Sequence, residues 1–140
     1  MKPVHSKCPP KPRFAVIVSL FNEGITEKLL QACLDEFSRQ GVCECELQVV
    51  KVPGAFEIPV TALKMARKRN ISAVVCLGAI IKGQTLHYDL VATETARGVQ
   101  EVALLTGKPV IFEVLAAETV ALCQARAMPG DRDNKGASAA

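Results

Sequence analysis

Two kinds of hydrophobic pattern alternate along the chain after its first thirteen residues. Short apolar runs, rich in β-branched residues, predict strands buried on both faces, as in a parallel sheet. Between them, apolar residues recur at the three- and four-residue spacing of amphipathic helices. The predicted strands cover residues 14–20, 44–52, 73–81 and 110–115, and the predicted helices cover about 26–40, 58–69, 86–105 and 119–127.

Glycine, proline and asparagine residues separate these segments. Gly41 is expected to end the first helix, Pro53-Gly54 the second strand, Asn70 the second helix and Gly107-Lys108-Pro109 the third helix. The β-α-β-α-β-α-β-α order predicts an α/β fold, a three-layer α-β-α sandwich around a four-stranded parallel sheet. Because crossovers are right-handed, few topologies remain, and we expect the flavodoxin-like strand order.

Length and composition favour one globular domain. The chain has 140 residues, of which 49% are hydrophobic and 22% charged. Four of the eight prolines lie within the first twelve residues, so we expect a flexible arm over 1–13 and a single domain over 14–140. No apolar run approaches the roughly 20 residues of a membrane span. The first residues also lack the apolar core of a secretory signal.

Charge and cysteine usage exclude further classes. A net charge of +3 is too small to indicate nucleic-acid binding. The basic residues between 64 and 69 fall at a predicted helix end, where they complement the helix dipole. The six cysteines form no C-x-x-C pair, so we expect reduced thiols in a cytoplasmic protein rather than a zinc site. Cys43 and Cys45 are expected to share one face of the second strand.

The chemically interesting residues follow the strands. In open parallel α/β sheets, ligands bind beyond the carboxyl ends of the strands. Three of the five phenylalanines, Phe21, Phe56 and Phe112, are expected at or near this edge. Their rings could stack on a flat heterocycle or plug the upper layer of the core, and spacing alone does not decide between these.

Polar residues at the same edge leave similar alternatives. Glu57 could accept hydrogen bonds from ligand hydroxyls or simply face the dipole of the helix it opens. The segment Gly83-Gln84-Thr85 could bind an anion at a helix N-terminus, or Thr85 could be a plain N-cap. His87 could move a proton near neutral pH, although a lone histidine is often structural.

These residues match the sequence motifs of a known family. The chain resembles the 6,7-dimethyl-8-ribityllumazine synthases over about residues 14–136, and VPGAFEIP together with GQTLHYD is highly specific. The matching segments are FN at 21–22, VPGAFEIP at 52–59, GAIIKGQTLHYDLV at 78–91, GKPVIFEVL at 107–115 and NKG at 134–136.

The resemblance implies a transferase of riboflavin biosynthesis. Such enzymes condense 5-amino-6-(D-ribitylamino)uracil with 3,4-dihydroxy-2-butanone 4-phosphate to 6,7-dimethyl-8-ribityllumazine, releasing inorganic phosphate and water. It implies no metal and no other cofactor, and no nucleic-acid or membrane partner. It also implies a cytoplasmic homopentamer, with twelve pentamers forming an icosahedral shell in many members.

The resemblance also implies individual roles. Phe21 is implied to stack on the uracil and Glu57 to bind ribityl hydroxyls, while Arg126 is the main phosphate cation and His87 the catalytic proton-transfer residue. Phe112 is implied to come from a neighbouring subunit. The full set of implied substrate-binding residues is Phe21, Asn22, Ala55, Phe56, Glu57, Ala79, Ile80, Ile81, Gln84, Thr85, Phe112, Arg126 and Lys135.

Two rival hypotheses stay open beside the enzyme. Leu20 and Glu113 stand where the family usually has a polar residue and a glycine, so a catalytically idle relative that binds flavins or forms a shell is the alternative. An unrelated flavodoxin-like receiver module would need an acidic cluster after the first strand, and 20–22 offers none.

Overall fold

The computed structural model describes residues 11–140, so most of the predicted arm lies outside the described residues. Tight 3-10 turns at Glu44–Glu46 and Ala55–Glu57 flank the second strand. No helix within 11–140 is both long and apolar enough to cross a membrane. The elements are β1 (Phe14–Ser19), α1 (Glu23–Arg39), β2 (Leu47–Val52), α2 (Ile58–Ala66), β3 (Ala73–Ile81), α3 (His87–Thr106), β4 (Val110–Ala117), α4 (Val120–Ala125) and α5 (Lys135–Ala139).

The four strands form one parallel sheet in the order β2-β1-β3-β4. This is the flavodoxin-like order, and the predicted α/β fold is confirmed. The two central strands, β1 and β3, are buried almost throughout, whereas β2 and β4 are edge strands with exposed positions. The strand order therefore places the residues that follow β2, β1 and β3 side by side at the carboxyl edge.

Two hydrophobic cores fill the space on either side of the sheet. On one face, Ile17 and Cys76 pack with apolar residues of α2 and α3. On the other face, Val16 and Leu77 pack with α1 and with residues of α4 and α5. Alternate strand residues feed the two cores because successive side chains point to opposite faces. The helices thus divide into an α2–α3 layer and an α1–α4–α5 layer.

One strand prediction was wrong at its start. Residues 44–46 form a 3-10 turn instead of extended strand, because the Glu46 carboxylate accepts a hydrogen bond from the Cys43 backbone N–H at 2.9 Å. Cys43 and Cys45 therefore do not share a strand face. Their sulfurs instead approach within 3.0 Å across the turn.

The end of the second helix also differs from the prediction. α2 stops at Ala66 and is capped by Arg67, so Asn70 is not its C-cap. Successive tight turns follow, with the Lys68 N–H donating to the Met65 carbonyl and the Ile71 N–H to the Lys68 carbonyl. These turns bring Ile71, which is almost fully buried, into the core before β3 begins.

The chain ends in a short helix for which the sequence pattern gave no prediction. Asn134 caps α5 by accepting from the N–H groups of Gly136 and Ala137, and its amide donates to the Met128 carbonyl at 2.9 Å. α5 lies so close to α1 that a Cβ atom on Gly136 would sit 2.0 Å from the Leu29 carbonyl oxygen. Only glycine permits this approach.

Candidate active site

Backbone hydrogen bonds hold the loops of the carboxyl edge together. The Leu20 N–H donates to the Val52 carbonyl at 2.8 Å, and the Phe21 N–H donates to the Pro53 carbonyl at 3.0 Å. The loop after β1 is therefore fastened to the loop after β2. On the other side, the Lys82 N–H donates to the Ala117 carbonyl at 2.9 Å.

Asn22 has a structural role within this edge. It adopts the left-handed conformation, with φ of 62°, which an asparagine tolerates better than most residues. Its side-chain amide donates to the Ala79 carbonyl at 2.8 Å, and its own carbonyl accepts from the first turn of α1. Asn22 thus links the loop after β1 to the end of β3, where residues 79–81 lie.

Two phenylalanine rings project into solvent at the edge. Phe21 is 71% exposed and Phe56 is 61% exposed. Rings that plugged the core would be buried, so that alternative is wrong for these two residues. Each ring offers an aromatic face on which a flat heterocycle can stack.

Phe112 does not lie at the carboxyl edge, and the expectation that it would is wrong. It pairs with Cys76 in the middle of the sheet, and four residues of β4 separate it from the strand end at Ala117. It lies on an edge strand and is 39% exposed, on the face of Val110 and Val114 that packs with α3. Phe112 is therefore positioned to meet something outside its own chain.

The Glu57 carboxylate supports both interpretations of that residue. One oxygen, Oε2, accepts from the Gly54 backbone N–H at 2.9 Å and closes the 3-10 turn. A Cβ atom at residue 54 would lie 3.1 Å from that oxygen, so glycine allows the carboxylate to approach the backbone. Ala55 is buried beneath the turn, and the half-buried Glu57 carries a second oxygen that can accept from ligand hydroxyls.

The segment before α3 is exposed from Lys82 to His87. α3 begins at His87 with Leu86 as its N-cap, so Thr85 is not the cap residue itself. The Thr85 hydroxyl accepts only a long hydrogen bond, 3.4 Å, from the His87 N–H. The first turn of α3 thus begins in an exposed segment beside Gln84 and Thr85, and the first N–H groups of a helix are where an anion can bind.

The two predicted cations lie on the other side of the sheet. Arg126 caps the C-terminus of α4, in the α1–α4–α5 layer, and is exposed. The Lys135 N–H donates to the Arg126 carbonyl at 2.9 Å, which holds the two residues together. Because α3 begins on the opposite face, one chain does not bring Arg126 to its own Thr85.

Glu113 also lies on the α1–α4–α5 face, on the side of β4 opposite Phe112. Burial raises the pKa of its carboxyl, and the nearby Lys135 ammonium offsets part of that rise. Lys135 is therefore near enough for its charge to act on the Glu113 carboxyl, although the two do not form a salt bridge. Glu113 departs from the family pattern without projecting toward the loops after β1, β2 and β3.

Sequence reasoning missed Ser19, the last residue of β1. Its hydroxyl is buried without a hydrogen-bond partner in the described part of the chain, and a Cβ atom on Gly78 would approach it to 3.0 Å. A serine ending an apolar strand gives no signal of such a position.

Two clefts on the described part of the chain do not coincide with the predicted site. A cleft of about 1010 Å³ separates α1 from the loop at 129–134 and contains none of the predicted site residues. The carboxyl edge of the single chain is instead open to solvent. Within 11–140, no group of three or more His, Cys, Asp or Glu side chains is placed to hold a metal ion.

The fold and the edge together define an open α/β protein of flavodoxin-like strand order, with exposed aromatic rings and the start of a long helix at its carboxyl edge. The comparisons with known proteins agree with this class. Residues 11–140 match the family described as 6,7-dimethyl-8-ribityllumazine synthase. A relative named 6,7-dimethyl-8-ribityllumazine synthase, from Desulfotalea psychrophila, is 47% identical over 108 residues, covering 77% of this chain and 70% of that protein. The chain belongs to the 6,7-dimethyl-8-ribityllumazine synthase family, as the sequence resemblance predicted.

Proposed function

We propose that this chain condenses 5-amino-6-(D-ribitylamino)uracil with 3,4-dihydroxy-2-butanone 4-phosphate at the carboxyl edge of its sheet. The family match supports a transferase of riboflavin biosynthesis. The observation that carries the location is the convergence of Phe21, Glu57 and His87, which follow three adjacent strands. An exposed ring, a carboxylate and an imidazole thus share one edge.

The ribitylaminouracil is held by the loops after β1 and β2. The exposed Phe21 ring stacks on the pyrimidine, and Asn22 keeps that loop against the residues of the wall, Ala79, Ile80 and Ile81. The free oxygen of Glu57 accepts from ribityl hydroxyls, beside Ala55 and Phe56. The hydrogen bond from Gly54 fixes the orientation of the carboxylate before the substrate arrives.

The phosphorylated ketone is held at the start of α3. Gln84, Thr85 and the exposed N–H groups of the first turn bind its phosphate, where the helix dipole favours an anion. The amine of the uracil substrate attacks the ketone to give a carbinolamine and then an imine. Phosphate leaves, the ring closes and water is lost. His87 moves the protons that these steps require.

A second copy of the chain completes each site. Phe112 and Arg126 both lie away from the carboxyl edge of their own chain and are exposed, and Lys135 is held beside Arg126. Placed against the edge of a neighbour, Phe112 closes the pocket and the two cations face the phosphate. Sites shared in this way require a homo-oligomer with a head-to-tail interface, which closes into a ring.

Exposed apolar side chains support this assembly. Leu90, Leu104 and Leu105 of α3 and its N-cap, Leu86, are each more than 60% exposed, and Val60 of α2 is similarly exposed in the same layer. Monomeric proteins rarely leave so many large apolar side chains in water within one layer. We propose that this surface joins neighbouring subunits in a homopentamer, and that pentamers can assemble further into an icosahedral shell. The cytoplasm is the proposed location.

A spectroscopic assay of the purified protein tests this function. With both substrates present, we expect absorbance from the lumazine product at a rate proportional to protein concentration, with release of inorganic phosphate. Light scattering in the same buffer should give at least a pentamer. A folded pentamer that binds riboflavin but forms no product would contradict the proposal and favour the idle relative.

A further inference from the structure

A pair of exposed thiols lies at the end of the molecule opposite the proposed active site. Cys43 and Cys45 flank Glu44 in the 3-10 turn that precedes β2, at the amino end of that strand. The six residues of β2 separate this turn from the carboxyl edge by roughly 20 Å. Chemistry at these thiols is therefore spatially independent of the condensation.

The two sulfurs are already arranged as donor and acceptor. The Cys45 S–H donates to the Cys43 sulfur at a separation of 3.0 Å. The turn is fixed by the Glu46 carboxylate, which accepts from the Cys43 N–H, and Glu46 in turn lies 3.5 Å from the Lys11 ammonium. These contacts fix the conformation of the turn, and the turn keeps the two thiols close together.

The environment makes the two thiols unequal. The hydrogen bond from Cys45 is the main cause that lowers the pKa of the Cys43 thiol, with Lys11 adding to it and Glu46 opposing it. The same bond raises the pKa of Cys45. Since the thiolate is the reactive form, Cys43 is the better nucleophile of the pair.

The other cysteines of the described chain lack these properties. Cys33, Cys76 and Cys123 are buried, and burial raises the pKa of Cys33 and of Cys76 to about 12. Buried thiols of this kind are inert packing residues.

A groove gives a reagent access to Cys43. A cleft of about 540 Å³ between α1 and the start of β2 is lined by Leu34, Val42, Cys43, Glu44 and Leu47 among others, and Cys45 is not part of its wall. A molecule in this groove therefore contacts Cys43 and not Cys45, although both residues are exposed.

We propose that Cys43 and Cys45 form a thiol–disulfide exchange site that takes small-molecule disulfides. The Cys43 thiolate attacks one sulfur of R–S–S–R, forming a Cys43–S–S–R bond and expelling R–S⁻. Cys45 then loses its proton to solvent and attacks the Cys43 sulfur, forming the Cys43–Cys45 disulfide and expelling the second R–S⁻. Two protein thiols are oxidised and one disulfide is reduced to two thiols. A bridge across a single intervening residue is strained, so the reaction is readily reversed.

Oxidised glutathione is the probe for the test. The fully reduced protein is incubated with it, quenched by alkylation and analysed by intact mass and peptide mapping. We expect the loss of two hydrogens in the peptide that contains 43–45, and no lasting glutathione adduct on that peptide. Independent glutathionylation of both cysteines, or no reaction at either, would overturn the proposal.

Single variants separate the two roles. Cys45→Ser should accumulate one stable mixed disulfide at Cys43. In Cys45→Ala, which removes the S–H donor, the pH at which Cys43 reacts half-maximally should rise. Cys43→Ser should react at least about tenfold more slowly, because no neighbouring S–H group stabilises the thiolate of the remaining Cys45. Cys8→Ser is the matched control, and the peptide that contains 43–45 should be oxidised in it as in the wild type. Equal rates for Cys43→Ser and Cys45→Ser would contradict the assigned roles.

Discussion

The contact between α1 and α5 and the carboxyl edge of the sheet differ in how completely their side chains find partners within one chain. Where α5 meets α1, Gly136 lies against the Leu29 carbonyl with no space for a methyl group, and Asn134 uses its side chain fully in capping and tethering. At the carboxyl edge, Phe21 and Phe56 stand in solvent, and the segment 82–87 is exposed throughout.

The difference indicates what each region is for. The α1–α5 contact is complete within one chain, so its residues act on stability. The edge is incomplete within one chain, because its rings, its carboxylate and its helix N-terminus have few partners, and we propose that its residues act on ligands and on a second copy. Substitutions should therefore separate cleanly into those that change activity and those that change stability.

The largest expected effect lies at the edge. His87→Ala should lower kcat by about 10²–10⁴-fold, the usual contribution of a general acid–base group, while leaving the melting temperature unchanged because His87 is exposed. Steady-state assays and circular dichroism measure the two quantities. His5→Ala is the matched control, and an unchanged kcat in His87→Ala would remove the proposed role.

The largest expected stability effect lies at the α1–α5 contact. Gly136→Ala places a methyl carbon about where the Leu29 carbonyl oxygen stands, so α5 must shift. Overpacking of this kind costs about 1–3 kcal/mol, measurable by denaturant unfolding. Gly24→Ala in α1 is the matched control, since a Cβ atom there meets nothing within 4 Å. Equal stability of the two variants would show that α5 docks less closely than described.

Asn22 tests a residue of the edge whose side chain does have a partner within the chain. Asn22→Gly keeps the left-handed conformation but loses the hydrogen bond to the Ala79 carbonyl, so we expect a loss of about 0.5–1.5 kcal/mol in unfolding free energy. Asn22→Ala should lose more, because alanine also tolerates that conformation poorly. The reverse order of stabilities in chemical denaturation would contradict this account.

The smallest expected effect is at Glu113. Folding raises the pKa of the Glu113 carboxyl, so the folded state disfavours the charged form of this group. The charged carboxylate therefore lowers stability near pH 7, and this penalty is absent below the pH range in which an ordinary glutamate titrates. Glu113→Gln should therefore raise the melting temperature slightly near pH 7, and the gain should vanish as the pH falls through the range where an ordinary glutamate titrates. A gain that persists in acid would have another cause.

The sequence predicts most of the fold because strand and helix patterns differ in period. β3 occupies residues 73–81 as predicted, and Gly107 ends α3 in a left-handed conformation. The errors arise where a specific side chain decides the backbone. Glu46 converts the expected start of a strand into a turn, and the Asn134 cap together with Gly136 creates a helix in a tail without clear periodicity.

The candidate site likewise has positions that the sequence predicts and positions that it does not. The segments after β1, β2 and β3 could be placed at one edge from the strand order alone. The position of Phe112 depends on register, which pairs it with Cys76 in mid-sheet. The separation of Arg126 from Thr85 depends on which face of the sheet each helix covers, and no local pattern carries that information.

The most direct test of the central claim is a mixed oligomer. His87→Ala and Arg126→Ala chains are co-expressed with different tags, and assemblies containing both are assayed below saturation with the phosphorylated ketone. Shared sites predict about one quarter of wild-type activity for random placement around the ring, because an intact edge meets an intact Arg126 at one interface in four. Activity no higher than the average of the two single variants would contradict a site completed between subunits.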